Sequence, residues 1–375
     1  MADGPGGLES MVNLPEFYRD KRVLVTGHTG FKGGWLIFWL NKLGARVCGY
    51  GLEPSELSLY RCIEGAGLCQ SQIGDVADFE HLSKVFDDFR PEIVFHLAAQ
   101  PLVRLSYREP VETFDCNVMG TVRVLDACRS TPSVRAIVAI SSDKCYENRE
   151  WVWGYRESEP MGGYDPYSAS KGCTELVISS YRRSFFNNAD YGVRHHTLLA
   201  SGRAGNVIGG GDWATDRLVP DIMKAAAAGK EVEIRSPEAT RPWQHVLEPL
   251  SGYLALGGKL WEGDTRFAEG WNFGPADDGV ITVKDAAAAL SREWGAIQIS
   301  LKPPKDAPHE ATLLRLDCTK ARSELFWHGT WSPAETFAHT AGWYRDFYRA
   351  GKINTEQDLN DYINSAEKEN LEWTK

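Results

Sequence analysis

A chain of 375 residues exceeds what one hydrophobic core ordinarily serves, and 43% hydrophobic with 11% aromatic residues describes a folding globular protein rather than a disordered one. The formal net charge of −10 excludes a general nucleic-acid binder, because phosphate neutralisation needs clustered lysine and arginine, whereas an anionic small substrate needs only one or two placed arginines. Eight cysteines (48, 62, 69, 116, 128, 145, 173 and 318) form no CxxC pair, which argues for reduced thiols in a cytoplasmic protein and against a disulfide or zinc framework.

Along the chain, Arg22 to Thr26 is a β-branched run that breaks into glycines, and Phe31 to Leu43 has the apolar spacing of a helix. Ala45 to Tyr50 reads as a second strand and Gln72 to Asp75 as the tip of a third. Phe79 to Phe89 is amphipathic and stops before Pro91. Ile93 to Leu97 and Ala136 to Ser141 are continuous apolar runs, as in strands covered on both faces. Asn117 to Ser130 and Tyr167 to Phe186 supply crossover helices. This alternation predicts an α/β protein with a Rossmann-type, doubly wound parallel sheet. After about residue 200, Gly209 to Gly211 and repeated prolines punctuate shorter elements. The expected organisation is a dinucleotide-binding domain over 17–200 and a smaller C-terminal substrate-binding domain over 201–350, interleaved with returning sheet elements. A polar tail, 351–375, would carry a capped surface helix from Asn354. No signal-peptide h-region and no 18-residue apolar run is present, so neither secretion nor a membrane span is expected.

Gly27-His-Thr-Gly30-Phe-Lys-Gly33 lies between the first strand and the first helix. Glycines there let the backbone turn sharply and approach a pyrophosphate at the helix N-terminus. The site would use Gly27, Thr29, Gly30, Phe31, Lys32 and Gly33, with Asp75 and Val76 toward the adenine. Leu97, Ala98 and Ala99 would let a flat cofactor pass, and His96 reads as a packed residue. Gly51 stands where an acidic ribose reader is usual. Glu53 and Glu56 would repel a 2′-phosphate, and no arginine follows that could hold one, so NAD is favoured over NADP.

Ser142-Asp143-Lys144 follows the fifth strand, and Tyr167 and Lys171 lie one turn apart on the next helix. A tyrosine with pKa near ~10 is a poor base unless a lysine and a nicotinamide cation favour its phenolate. Tyr167 could then take the proton of a substrate hydroxyl while Ser142 hydrogen-bonds the oxygen being oxidised, Lys171 also holding the nicotinamide ribose. Asp143 and Lys144 exceed what oxidation needs. A ketone at carbon 4 of a hexose acidifies carbon 5; Lys144 suits the base there, and Asp143 the acid that protonates the departing carbon-6 hydroxyl. A sugar-nucleotide 4-epimerase would need no Asp-Lys pair, a non-catalytic dinucleotide sensor would not keep both Tyr167 and Lys171, and a zinc alcohol dehydrogenase would need clustered ligands.

From about Phe17 to Tyr348 the chain resembles the extended short-chain dehydrogenase/reductase family, and within it the CDP-glucose 4,6-dehydratase branch. The resemblance rests on residues 25–33, 96–104, 142–146, 149–157, 162–171, 203–213 and 241–250, with lysine at 144 where related dehydratases commonly have glutamate. It implies CDP-glucose as substrate, NAD regenerated in each turnover, CDP-4-dehydro-6-deoxyglucose and water as products, and a place in dideoxyhexose synthesis for surface polysaccharide (O-antigen). It also implies a homodimer through sheet-flanking helices including 167–186, or a dimer of dimers. Asn206 and Arg241 match diphosphate-binding positions, a role that suits guanidinium chemistry; Arg217 and Tyr253 are matched to the nucleotide pocket.

Overall fold

In the computed structural model, residues 12–234, 236–276, 279–301 and 313–375 are described. The central sheet comprises β1 (Arg22–Thr26), β2 (Arg46–Gly51), β3 (Gln70–Ile73), β4 (Ile93–His96), β5 (Ala136–Ile140), β6 (Leu198–Ala204) and β7 (Gly270–Phe273). Their order is β7-β6-β5-β4-β1-β2-β3, and every neighbouring pair is parallel. The order runs outward in both directions from β1 and β4, which leaves a crevice where the two series diverge. The expected doubly wound sheet is therefore the observed one.

The helices that cover it are α1 (Phe31–Lys42), α2 (Phe79–Phe89), α3 (Gly120–Ser130), α4 (Pro166–Ser184), α5 (Leu218–Ala227), α6 (Leu247–Glu262), α7 (Val283–Glu293), α8 (Pro333–Ala350) and α9 (Thr355–Lys368). Alternate strand residues enter opposite cores, which is why β1, β4 and β5 are apolar throughout. Val23, Val25, Phe95 and Val138 pack with Trp35 and Trp39 of α1 and Leu250 and Leu254 of α6. Leu24, Val94 and Ile137 pack with Leu82 of α2, Leu125 of α3 and Ile178 of α4. Three two-stranded pairs, among them Val207–Ile208 with Gln244–His245 and Thr240–Pro242 with Val280–Thr282, frame the cleft on the far side.

Three expectations need correction. The third strand ends at Ile73, before Asp75, because Gly74 lies against the Tyr50 ring, where a Cβ would come within 2.6 Å of the hydroxyl. The helix expected from Asn117 begins instead with a wide π turn over Asp115–Met119. The tail is not a surface appendage. Leu359, Tyr362 and Ala366 bury one face of α9, and Trp39 meets Tyr362 at 5.9 Å and Trp373 at 5.7 Å.

Candidate active site

A cleft of about 1660 Å³ opens at the carboxyl ends of the strands. A pocket for one small ligand is typically ~300–1,000 Å³, so this one has room for two nucleotide-sized molecules. Thr29, Asp75, Leu97, Ser142, Tyr167, Asn206 and Arg241 mark its course from one end to the other.

At the first end the glycine loop closes tightly on itself. Gly27 has φ +72°, and a Cβ there would lie 2.8 Å from the Ala98 nitrogen; at Gly33 it would lie 2.1 Å from the Gly27 carbonyl oxygen. Only glycine allows both approaches, and the result presents the N-terminus of α1 to the cleft. Gly27, Thr29, Gly30, Phe31, Lys32, Gly33, Asp75, Val76 and residues 97–99 all line it. Thr29 donates to the Leu52 carbonyl at 2.8 Å, and one oxygen of Asp75 caps the Ala77 amide at 2.9 Å.

The crowding of the end of β2 by His28 is a feature that sequence reasoning missed. The His28 ring lies beneath the end of β2, so a Cβ at Gly49 would come within 2.2 Å of it, and one at Gly51 within 3.3 Å. Burial pushes the His28 pKa down to about 4, partly offset by the Tyr50 backbone, and the ring shares a 2.7 Å hydrogen bond with Ser71. Arg61 is turned onto Glu53 at 3.3 Å and onto the Ser55 and Pro54 carbonyls, away from the cleft lining.

In the middle, Ser142 caps a short turn over Asp143–Cys145. Its hydroxyl donates to Asp143 Oδ1 at 2.8 Å and accepts from the Lys144 amide at 3.3 Å. Lys144 Nζ stands 3.7 Å from the same Oδ1, with Asp143 only 1% exposed and Lys144 about a third open to the cleft. Pro166 at the first turn and Asp165 as cap fix the start of α4, which brings Tyr167 and Lys171 to this turn. The Lys171 ammonium is 6.0 Å from the Tyr167 ring centre.

The expected lowering of the phenol does not arise from the protein alone. Burial pushes Tyr167 up to about 12; a Ser142 hydrogen bond opposes this, as does the Arg217 charge, while Asp143 reinforces it. Burial likewise brings Lys171 down to about 8, against the pull of Cys116 and Glu175. Lys32 falls to about 7, through burial first and then Arg217, with Lys171 and Lys144 adding and Asp143 opposing.

Two buried networks hold this centre. Within the π turn the Asn117 carbonyl accepts from the Thr121 hydroxyl at 2.7 Å and the Thr174 hydroxyl at 2.9 Å. The Asn117 amide donates to Gln100 O and Ser170 Oγ, which ties the β4 loop to α4. His96 lies beneath, between Thr26 and Thr121, its pKa brought down to about 3 by burial and then by Lys171, so it is packed and neutral as expected. The second network pairs Glu175 of α4 with Arg203 of β6.

At the far end Asn206, Arg217 and Arg241 all line the cleft. Arg217 is oriented by Asp212 at 2.8 Å, and Arg241 donates to the Thr240 carbonyl at 2.8 Å. Tyr253 is misplaced by the sequence reading: it is fully buried on α6, packed under Gly202 of β6 and against Phe273, and does not line the cleft. Arg104 and Asp216 were not foreseen. They line the cleft from opposite sides and meet at 3.2 Å. Asp216 adopts φ +59°, a strained conformation for a non-glycine residue beside Arg217.

Comparison with known proteins agrees with this geometry. The model of the GDP-mannose 4,6 dehydratase family matches residues 24–340. A curated CDP-glucose 4,6-dehydratase of Salmonella typhimurium is 51% identical over 93% of this chain and 98% of that protein. A UDP-glucose 4-epimerase of Mycolicibacterium smegmatis is 28% identical over 87% of this chain and 99% of that one. Among solved structures, UDP-glucose 4-epimerase of Thermotoga maritima with UDP-glucose superimposes with a TM-score of 0.73 at 25% identity, covering 87% of this chain and 99% of that one. The dTDP-glucose 4,6-dehydratase of Bacillus anthracis in complex with NAD gives 0.72 at 19% identity, covering 87% and 97%, which bears on the fold alone. Matched over most of its length by the family model and over nearly all of it by a relative at half identity, the chain belongs to the GDP-mannose 4,6 dehydratase family, within the extended short-chain dehydrogenases/reductases.

Proposed function

We propose that this chain is an NAD-dependent CDP-glucose 4,6-dehydratase, converting CDP-D-glucose to CDP-4-dehydro-6-deoxy-D-glucose and water. The observation that carries the reading is the Asp143–Lys144 pair, a buried carboxylate and a half-buried ammonium beside Ser142 in the cleft that Tyr167 and Lys171 also line. An epimerase has no use for that acid–base pair, and the 51% relative names the substrate.

The glycine cradle fits a dinucleotide, and Glu53 and Glu56 beside the end of β2 disfavour a 2′-phosphate. Gly27, Gly30 and Gly33 at the N-terminus of α1 would hold NAD, which would supply the hydride acceptor for carbon 4 of the sugar and the hydride donor for carbon 6. Tyr167 removes the proton of the carbon-4 hydroxyl, Ser142 hydrogen-bonds that oxygen, and Lys171 holds the nicotinamide ribose and favours the phenolate. Lys144 then takes the proton from carbon 5 and Asp143 gives one to the departing carbon-6 oxygen. Asn206, Arg217 and Arg241 hold the substrate diphosphate, Arg217 pre-oriented by Asp212.

Assembly as a dimer along α4 is supported by its exposed Leu176 and Phe185, with exposed Val111 and Met119 on the segments beside it. Eight free thiols suit a cytoplasmic enzyme, and no described helix is long and apolar enough to cross a membrane. The product would feed dideoxyhexose synthesis.

The deciding experiment supplies CDP-glucose deuterated at carbon 4 and reads the product by NMR. Deuterium at carbon 6 of a 4-keto-6-deoxy sugar is the expected outcome. A CDP-galactose product, or unreacted substrate, would overturn the reading.

A further inference from the structure

The loop over residues 209–217 carries two carboxylates, and each holds an arginine of the cleft. Asp212 pairs with Arg217 at 2.8 Å, and its side chain is only 9% exposed. Asp216 accepts from Arg104 Nη1 at 3.2 Å, with the two side chains 33% and 28% exposed. The first pair lies within one loop and fixes its arginine in place. The second spans the cleft, because Arg104 belongs to the short helix Val103–Arg108 that follows β4. Asp216 and Arg217 are neighbours in sequence, so Arg104 reaches the same stretch of the cleft wall that Arg217 occupies.

The two pairs differ in what an entering anion can do to them. A carboxylate as enclosed as Asp212 keeps its partner, since separating them would leave a buried charge. The Arg104–Asp216 contact is open to water on both sides, and such a pair is held weakly. A guanidinium meets a phosphate through a two-pronged, charge-assisted contact, which is the stronger bond. A diphosphate at Arg217 would therefore draw Arg104 away from Asp216.

The backbone beneath Arg104 need not follow. Ser106, buried in the same short helix, accepts the Tyr167 amide at 3.1 Å, and the Gln100 amide upstream donates to Asn117 at 2.8 Å. Both contacts tie this segment to the framework of α4, so a swing of the side chain suffices. We infer that Arg104 is a further anchor for the diphosphate of a nucleotide sugar, held across the cleft by Asp216 until a phosphate takes the carboxylate's place. The phosphate end of the substrate is then located from the helix that also holds the start of Tyr167, which fixes the sugar relative to the phenol.

This inference rests on the nucleotide-sugar reading, and calorimetry with unreactive nucleoside diphosphates separates the two. CDP, UDP and GDP are titrated into the NAD-loaded protein. If wild type binds none of them, that reading fails and the inference with it. A preference for UDP or GDP contradicts CDP-glucose as substrate, and the variants are then compared with the preferred nucleotide. Arg104→Ala should weaken binding at least tenfold, about 1.4 kcal/mol. Arg104→Lys, which keeps the charge without the fork, should lose less. Asp216→Asn should tighten binding about 2- to 5-fold, the worth of a water-exposed ion pair; asparagine also tolerates the φ of +59° found there. In the Arg104→Ala background the same substitution should lose that gain. NAD affinity should stay unchanged in all variants. Wild-type nucleotide affinity in Arg104→Ala would overturn the exchange. So would an Asp216→Asn variant that binds as weakly as Arg104→Ala, the mark of a static clamp, or a gain that survives without Arg104. An equal loss of NAD and nucleotide affinity would also overturn it, as a general structural effect.

Discussion

Replacing Glu175 by glutamine should weaken the protein and the catalytic turn together. Glu175 and Arg203 are each about 5% exposed or less, and the contact is two-pronged: Nε to Oε1 at 2.9 Å and Nη2 to Oε2 at 2.7 Å. Ser201 donates to Oε2 at 2.8 Å, and the Ser141 hydroxyl donates to Oε1. Burial alone would raise the Glu175 pKa, but the Arg203 charge and these donors hold it below the usual carboxylate range. Glutamine fills the same space, yet its NH2 would face a donor and Arg203 would lose its charged partner, keeping one amide oxygen beside Tyr146 and the Glu157 carbonyl. Removing one partner of a buried pair costs ~3–5 kcal/mol, a large part of the ~5–15 kcal/mol that holds a typical protein folded. Denaturant unfolding followed by tryptophan fluorescence measures that loss. Because Ser141 precedes Ser142 and Glu175 lies one turn after Lys171, kcat should fall as well. The pH dependence has a fixed sign: a depressed carboxylate stabilises fully above its ordinary value near ~4.3, and the contribution is lost as pH falls through the lower folded value. The glutamine variant should lose that part of the acid sensitivity. A cost under ~1 kcal/mol, the range of a surface pair, would refute the reasoning.

Gly33→Ala should abolish tight cofactor binding, since the added methyl would meet the Gly27 carbonyl at 2.1 Å; titration calorimetry should show at least a tenfold weaker Kd, about 1.4 kcal/mol. Lys144→Ala should still oxidise carbon 4, seen as absorbance of reduced cofactor, while releasing no 6-deoxy product; normal dehydration would show that Lys144 is not the base. For Lys171, brought down to about 8, kcat/KM should decline as pH rises through that value and the ammonium is lost. Lys171→Arg should move that limb upward, and an unmoved limb would assign it elsewhere. Lys171 costs stability below about 8, where it is charged but desolvated, so unfolding free energy should rise between about 8 and ~10.4. Arg104→Ala removes the 3.2 Å contact with Asp216 across the cleft and should change KM for the nucleotide sugar more than kcat.

The parts of this protein that were legible in sequence are those where local chemistry and fold demand the same residue. Apolar runs at 93–97 and 136–141 can only be strands covered on both faces, and the glycine loop has few other uses. Ser142, Asp143, Lys144, Tyr167 and Lys171 could be grouped in advance because two short segments contain them all, and the fold brings both segments to one cleft. What escaped depends on neighbours distant in sequence. The end of β2 at Gly49 is shaped by His28, 21 positions earlier, and Arg104 finds Asp216 112 positions later. Tyr253 was misread because nothing in its own segment tells that α6 runs under the sheet rather than beside the cleft. The C-terminal helix had a readable period at Leu359, Tyr362 and Ala366, but its polar composition masked it.

The burial of Trp39 by Tyr362 and Trp373 also bears on how the molecule is made. The helix that opens the fold emerges from the ribosome early, yet the rings that cover it are more than 320 residues downstream. Until residues 362–373 have been made Trp39 lacks part of its cover, and until residue 273 has been made the sheet lacks its strand at 270–273. Such long-range closure makes folding slow and exposes apolar surface meanwhile. A chain cut before Tyr362 would thus carry an intact catalytic turn on a body prone to aggregate, and its yield in the cell would depend on the segment that holds Tyr362 and Trp373.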